Sequence, residues 1–236
     1  MSSPVVHYEL RDTIAWIKMD DGKANALNIP MFQAMKDALT RAKEEKAKAV
    51  VLTGREGMFS GGLDLKTLQE LSIEGRQELL VEFRRMAGHI SGFPLPIIAA
   101  VTGHSVAGGC VLMLACDYKL GIEGRFKIGL NEVAIGLAMP SFITDLAQAS
   151  LALPYHIPAI LHATLYPPSK AREIGYLDEV LQSEELEGRA QAYATQLAKL
   201  IQPGYAISKQ RIRQKLITLN EEAYIDEVNA FLNLFG

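Results

Sequence analysis

The stretch that decides the fold reads Ile97-Ile98-Ala99-Ala100-Val101-Thr102-Gly103-His104-Ser105-Val106-Ala107-Gly108-Gly109-Cys110. Five consecutive apolar residues, Ile97 to Val101, suit a strand buried on both faces, as in a parallel sheet. After the glycine pair an apolar run continues to Cys116, and the pattern predicts a helix over Gly108–Cys116. The first N–H groups of such a helix have no carbonyl of their own helix to meet, and the positive end of its dipole falls at Gly108. Strand, glycine turn and helix form the unit of α/β cores, in which ligands bind at the carboxyl ends of strands.

The same unit lies upstream. Ala49-Val50-Val51-Leu52-Thr53 reads as another buried strand, and Phe59-Ser60-Gly61-Gly62-Leu63-Asp64-Leu65 as a second glycine turn. Asp64 is suited to cap a helix there, and the N–H of Leu63 is suited to point at a carbonyl oxygen. Either glycine pair also serves a tight turn or close helix packing. A helix from about Asp64 and a longer one over Ile73–His89 follow, ended by Pro94-Leu95-Pro96. Val5–Leu10 and Ile14–Met19 suggest a hairpin-like start, and Met31–Lys46 a helix with Asn28 as cap and Pro30 in its first turn. Strands are expected at Tyr118–Ile122 and Phe126–Ile128. Beyond Pro140 the pattern is almost wholly helical, which describes an α/β core with a helical extension.

A third segment, Gly129-Leu130-Asn131-Glu132, ends in a carboxylate within an apolar run that continues Val133-Ala134-Ile135. An acid there is costly unless it is paired or has work to do, and desolvation would raise its pKa toward neutrality. A helix cap or a surface ion pair is the plainer reading. Two exposed amides with one isolated base are the equipment for forming and quenching an enolate.

Composition bounds the alternatives. The chain has 236 residues, 49% hydrophobic and 22% charged, with a net charge of −3, which speaks against a nucleic-acid binder. Its basic cluster, Lys209-Gln210-Arg211-Ile212-Arg213-Gln214-Lys215, reads as a solvated helix face. Cys110 and Cys116 fit neither a C-x-x-C metal site nor a disulfide, and read as buried core residues of a reducing compartment. Met1-Ser2-Ser3-Pro4 resembles no secretory leader, no run is long enough for a membrane span, and Leu234-Phe235-Gly236 is no peroxisomal address. A cytoplasmic location is expected. Gly103-His104-Ser105-Val106-Ala107 imitates a nucleophile elbow, with Asp145 and His156 or His162 in order for a serine hydrolase. No His-Gly-Gly-type segment precedes it.

Taken in order, Asn25-Ala26-Leu27-Asn28, Val50-Val51-Leu52-Thr53-Gly54, the Phe59–Leu65 turn, Pro96-Ile97-Ile98-Ala99-Ala100-Val101, Ala107-Gly108-Gly109-Cys110, Cys116-Asp117-Tyr118 and Gly129-Leu130-Asn131-Glu132 resemble the crotonase (enoyl-CoA hydratase/isomerase) superfamily. The resemblance spans most of residues 5–180. It implies an α/β fold, a crotonase-like spiral of ββα repeats over 1–180, with a C-terminal helical trimerisation region over 181–236. A homotrimer or dimer of trimers is implied, acting on an acyl-CoA thioester, with no metal, no cofactor beyond the coenzyme A of the substrate, and no nucleic-acid or membrane partner. By the same resemblance the oxyanion donors are the N–H groups of Leu63 and Gly108, and the base is Glu132. Gly61, Gly62, Asp64 and Leu65 would line the thioester and pantetheine path, and Ala24 and Ala26 would lie near the adenine end.

Hydratases of this superfamily carry a further glutamate three residues after the oxyanion glycine. Here Val111 stands there, one helical turn from Gly108 and so expected on the same pocket face. With Glu132 retained, this pattern resembles the Δ3,Δ2-enoyl-CoA isomerase branch, which implies a role in fatty-acid β-oxidation. Hydration is best served by two carboxylates in different protonation states, whereas a 1,3-proton shift needs one. An enoyl-CoA hydratase or another acyl-CoA enolate enzyme stays open, as do a non-catalytic coenzyme A binder and the Ser105 hydrolase. The helix after Pro140 (Phe142, Ile143, Leu146) is expected at the pocket floor.

Overall fold

The computed structural model describes residues 4–218 and 221–232, and among these the chain winds in successive turns of strand, strand and helix. β1 (Val6–Arg11) and β2 (Ile14–Met19) open it as an antiparallel hairpin, and β3 (Ala26–Leu27) and α1 (Ile29–Glu44) complete the first turn. Asn28 caps α1 by accepting from Met31 N–H at 3.0 Å. The second turn holds β4 (Ala49–Thr53), β5 (Gly57–Ser60), β6 (Gly62–Leu63), α2 (Leu65–Glu70) and α3 (Ile73–Gly92). The third is β7 (Ile97–Val101), β8 (Gly103–Val106) and α4 (Gly108–Ala115). β9 (Tyr118–Ile122), β10 (Ile128–Gly129), a 3-10 turn over Val133–Ile135 and α5 (Ser141–Ser150) form the fourth. After α6 (His156–Ile160) and α7 (Pro168–Ile174), β11 (Glu179–Leu181) closes the large sheet.

The leading strands line up as β1-β2-β4-β7-β9-β11, parallel except at the opening hairpin. The second strands form a separate parallel sheet, β10-β8-β5, while β3 pairs with β6. This is the expected spiral of ββα units. Alternation along the buried strands explains why they read as unbroken apolar runs. Val50, Leu52, Ile97 and Ala99 enter one core with Met35, Leu39 and Ile90 of α1 and α3. Ala49, Val51, Ile98 and Ala100 enter a second core with Leu186, Ala190 and Ala194 of α8 (Leu186–Leu197). Each fully buried aliphatic side chain contributes roughly 1.5–3 kcal/mol by leaving water.

α9 (Gln202–Ile212), α10 (Gln214–Ile217) and α11 (Glu221–Leu232) finish the described chain. The basic cluster is a solvated face only in part: Gln210, Arg211, Gln214 and Lys215 are exposed, but two of its cations turn inward. Lys209 is buried and pairs with Asp117 at 2.6 Å, and Arg213 donates to the Ala115 and Cys116 carbonyls at 2.6 and 2.9 Å. Together they satisfy the carboxyl end of α4, where cations oppose the negative end of the dipole. Helical spacing shows a charged face but not the Asp117 that meets it. A second correction concerns β11, a strand inside the stretch read as helical. It is three residues long, and only its pairing with β9 makes it extended.

Ser105 lies mid-strand in β8, fully buried between β5 and β10, and its hydroxyl has no hydrogen-bond partner among the described residues. The turn into the helix comes two residues later, at Ala107. His156 is bonded through Nε2 to the Leu151 carbonyl at 3.0 Å, and Asp145 and His162 are exposed. None of the three is hydrogen-bonded to the Ser105 hydroxyl. Cys110 and Cys116 are free and fully buried, and burial pushes the Cys116 thiol up to about 12. Among the described residues no helix is long and apolar enough to cross a membrane.

Candidate active site

Both glycine turns lie at the carboxyl ends of strands, and the spiral sets them against one another. Asn25 secures the first. It is fully buried in a left-handed conformation (φ 50°), donating from Nδ2 to the Met19 and Phe59 carbonyls at 3.0 Å each. Ser60 Oγ donates to the Asn25 carbonyl at 2.8 Å and accepts from Gly62 N–H at 3.2 Å. These bonds fix the path of the chain into Leu63.

Asp64 N–H donates to the Leu27 carbonyl at 3.0 Å. Successive amides of a strand point to opposite sides, so the Leu63 N–H faces away from β3, and β6 has no second neighbouring strand among the described residues. On that side stands Gly108, the first residue of α4. Its cap, Ala107, holds a strained backbone (φ 51°, ψ −129°) and provides no side-chain hydrogen bond. A Cβ placed on Gly108 would lie 3.4 Å from Leu63 N, and one on Gly62 (φ +96°) would lie 3.0 Å from Gly108 N. The two nitrogens therefore stand no more than about 6 Å apart. One oxygen atom can sit within hydrogen-bond reach of both.

The pair opens on a cavity of about 500 Å³. Glu132, 7% exposed, stands in its wall at the start of the 3-10 turn. Desolvation pushes its pKa from 4.5 up to about 7, against the smaller opposing pull of backbone amides at Glu132 and Asn131. Its Oε2 has no hydrogen-bond partner among the described residues, and neither does the buried Oδ1 of Asn131 beside it. A desolvated carboxyl group whose pKa is raised toward neutrality, with one oxygen unbonded and two amide donors on the same apolar chamber, has the chemistry to take a proton from carbon and give it back.

Of the expected residues, Gly61, Leu63, Leu65, Gly108 and Glu132 line this one cavity, and Gly62 packs immediately behind it. Ala24, Ala26 and Asp64 do not line it. Ala24 is exposed and its carbonyl accepts from Gly61 N–H at 2.8 Å, and Ala26 pairs with Gly62 across β3–β6. The Asp64 carboxylate is engaged as the cap of α2, and the Thr67 amide that bonds it keeps its pKa below the usual range. Val111 is fully buried in the core and does not line the cavity, contrary to the expectation from helical spacing. Of the expected floor residues Ile143 lines the cavity, while Phe142 and Leu146 pack behind it.

Sequence reasoning missed the far wall. Leu80 and Phe83 of α3 and Tyr224, Glu227 and Val228 of α11 line it. The Ile73–His89 helix is expected from the sequence, but nothing in the sequence says that a helix more than a hundred residues downstream returns to the site. No cluster of three or more His, Cys, Asp or Glu residues able to hold a metal occurs among the described residues.

The sequence pattern of the enoyl-CoA hydratase/isomerase family matches residues 9–235. A Mycobacterium tuberculosis protein of known structure, described in one structure as an enoyl-CoA isomerase and in another as a probable enoyl-CoA hydratase, is 33% identical and superposes with TM-scores of 0.89 and 0.91, covering 98% of this chain and 99 and 97% of the other. Rat mitochondrial enoyl-CoA delta isomerase 1 is 25% identical over 226 residues, 93% of this chain and 78% of its own. Crotonyl-CoA hydratase of Syntrophomonas wolfei is 28% identical over 227 residues, 94% of this chain and 86% of its own.

Proposed function

Because the chain belongs to the enoyl-CoA hydratase/isomerase family, we propose that it moves the double bond of a 3-enoyl-CoA to the 2-trans position, with Glu132 as the single proton carrier. In this reading the thioester oxygen sits between the Leu63 and Gly108 amides. The Glu132 carboxylate removes a proton from C2, and the electron pair spreads over C2, C3, C4 and the thioester oxygen as a dienolate. The same proton returns to C4, the double bond settles between C2 and C3, and the carboxylate is regenerated. No water is consumed. Each amide donor contributes about 10²–10³ in rate if it matches other oxyanion holes. Binding of the coenzyme A moiety supplies the positioning.

The observation that carries the reading is the isolation of Glu132. Among the described residues the other carboxylate lining the cavity, Glu227, is exposed and accepts two hydrogen bonds from Ser141. A site with one buried acid favours proton relocation over hydration. Hydration is the second reading, supported by the hydratase among the relatives. Incubation with 3-hexenoyl-CoA and crotonyl-CoA side by side separates the two: fast isomerisation with slow hydration is expected, and the reverse ratio overturns the isomerase reading.

A further inference from the structure

A second recess, of about 320 Å³, opens among α1, α3 and α10, and it shares no described lining residue with the active-site cavity. Lys43, Arg84, Arg85, His89 and Ile217 line it, and among the described residues no carboxylate does. Arg85 is engaged by Glu82 at 2.7 Å, whereas Lys43, exposed in the last turn of α1, forms no ion pair among the described residues.

Arg84 is the buried member of the set, 4% exposed, and its surroundings answer little of its charge. Nη2 donates to the Thr218 carbonyl in a long bond of 3.4 Å, and the guanidinium lies over the Phe142 ring at 5.0 Å from its centre. Glu227 acts on Arg84 only from beyond ion-pair distance, since its own carboxylate is bonded to Ser141. Desolvation draws the Arg84 pKa down, against Tyr224 and Glu227, but a guanidinium keeps its proton at neutral pH. A buried cation with one long hydrogen bond is costly unless an anion meets it.

The backbone leaves the guanidinium its place beside the recess. Gly88 follows Arg84 by one turn of α3, and a Cβ there would fall 2.9 Å from Arg84 Nη1. Any larger residue at position 88 would push that nitrogen aside. The planar fork of an arginine suits the paired oxygens of a phosphate or carboxylate, and a lysine adds a point charge. Two cations without a carboxylate between them match a dianion better than a monoanion, which favours phosphate.

We infer that this recess is a second binding site, for a phosphate group held between the Arg84 guanidinium and the Lys43 ammonium, apart from the cavity that holds Glu132. The group is either the free ion or the monoester of a larger molecule. The inference stands independently of the isomerase reading.

The test is thermal unfolding of the full chain in sodium phosphate against sodium chloride of equal ionic strength. A ten-fold excess of phosphate over its Kd raises Tm by about 3–6 °C for a chain of this size. Phosphate also stabilises folded proteins by exclusion from their surfaces, so the reading is the gain of the parent relative to the variants. Arg84→Met fills the same space without the charge and is expected to keep less than half of the parental gain. Lys43→Glu, at an exposed position, places a rival carboxylate at the recess and is expected to lose as much, and it decides the matter if Arg84→Met does not fold. No gain in the parent means that the chain itself answers the charge of Arg84, and overturns the inference. So does a variant that keeps more than half of the gain. Phenyl phosphate, titrated in the same way, distinguishes the sources: a gain that Arg84→Met loses assigns the recess to a phosphate monoester, and a gain with inorganic phosphate alone assigns it to the free ion.

Discussion

Replacing Glu132 by Gln should cost the protein its activity and make it more stable, and the second effect depends on pH in a direction fixed by burial. In the folded chain the Glu132 carboxyl titrates at about 7, against 4.5 when unburied. Between those values the folded state holds a proton that the unfolded state has released. Stability therefore falls as pH rises from about 4.5 to about 7, and the loss is complete above that window. At about 1.36 kcal/mol per unit, the shift amounts to about 3 kcal/mol at pH 8.5. The glutamine side chain has the same shape and no charge to desolvate. The variant should match the parent at pH 4.5 and exceed it by about 3 kcal/mol at pH 8.5, or roughly 6–12 °C in Tm for a chain of this size. Urea denaturation at the two pH values and one fixed protein concentration measures the difference. In parallel, turnover of 3-hexenoyl-CoA should drop about 10²–10⁴-fold in the variant, and parental kcat/KM should decline below about pH 7 as the base is protonated. Parallel stability curves for parent and variant would refute the claim that Glu132 is an unpaired, desolvated acid.

Other perturbations probe separate parts of the structure. Gly108→Ala places a methyl group 3.4 Å from Leu63 N, in the space proposed for the thioester oxygen. kcat should fall about 10²–10³-fold with an unchanged far-ultraviolet circular dichroism spectrum. Lys209→Met leaves Asp117 without its nearest cation and should lower stability by about 3 kcal/mol in a urea titration. Val111→Glu, drawn from the superfamily's hydratases, meets a fully buried core position, so a loss of about 3 kcal/mol is expected and no gain in crotonyl-CoA hydration. Ser105→Ala should leave 3-hexenoyl-CoA turnover within two-fold of the parent, and a fluorophosphonate should label neither protein.

What the sequence disclosed, it disclosed through local chemistry. Uninterrupted runs such as Ala49–Thr53 and Ile97–Val101 announce strands covered on both faces, and Asn28-Ile29-Pro30 announces the start of α1. The two glycine turns and Glu132 were legible because each breaks a local rule, by lacking a side chain or by carrying a charge where apolar residues prevail. Relations between distant segments were not legible. The two-residue strands β3 and β6 exist only because the turns of the spiral stack, and β11 only because β9 lies beside it. The clasp of Asp117 by Lys209 and Arg213, and the return of α11 to the cavity, join residues about 90 or more positions apart. Val111 shows the converse error. One turn of helix sets the direction of a side chain relative to Gly108, but which neighbour covers it depends on the packing of other helices.

The spiral also explains why the site can stay destabilised. Successive turns repeat the same register, so β5 and β8 run side by side and deliver Leu63 and Gly108 to adjacent points without any bond between those two amides. Ala107 keeps its left-handed backbone because its N–H is tied to the Gly129 carbonyl at 3.0 Å and its carbonyl accepts from Val111 N–H at 3.0 Å. Gly129 in turn lies three residues before Glu132, so the bond that holds the strained cap also sets the position of the acid. Relaxing either would move the other. The acid stays dry because sheet pairings and fully buried cores on both faces of the large sheet outweigh what its burial costs, so the fold tolerates strain at the proposed site.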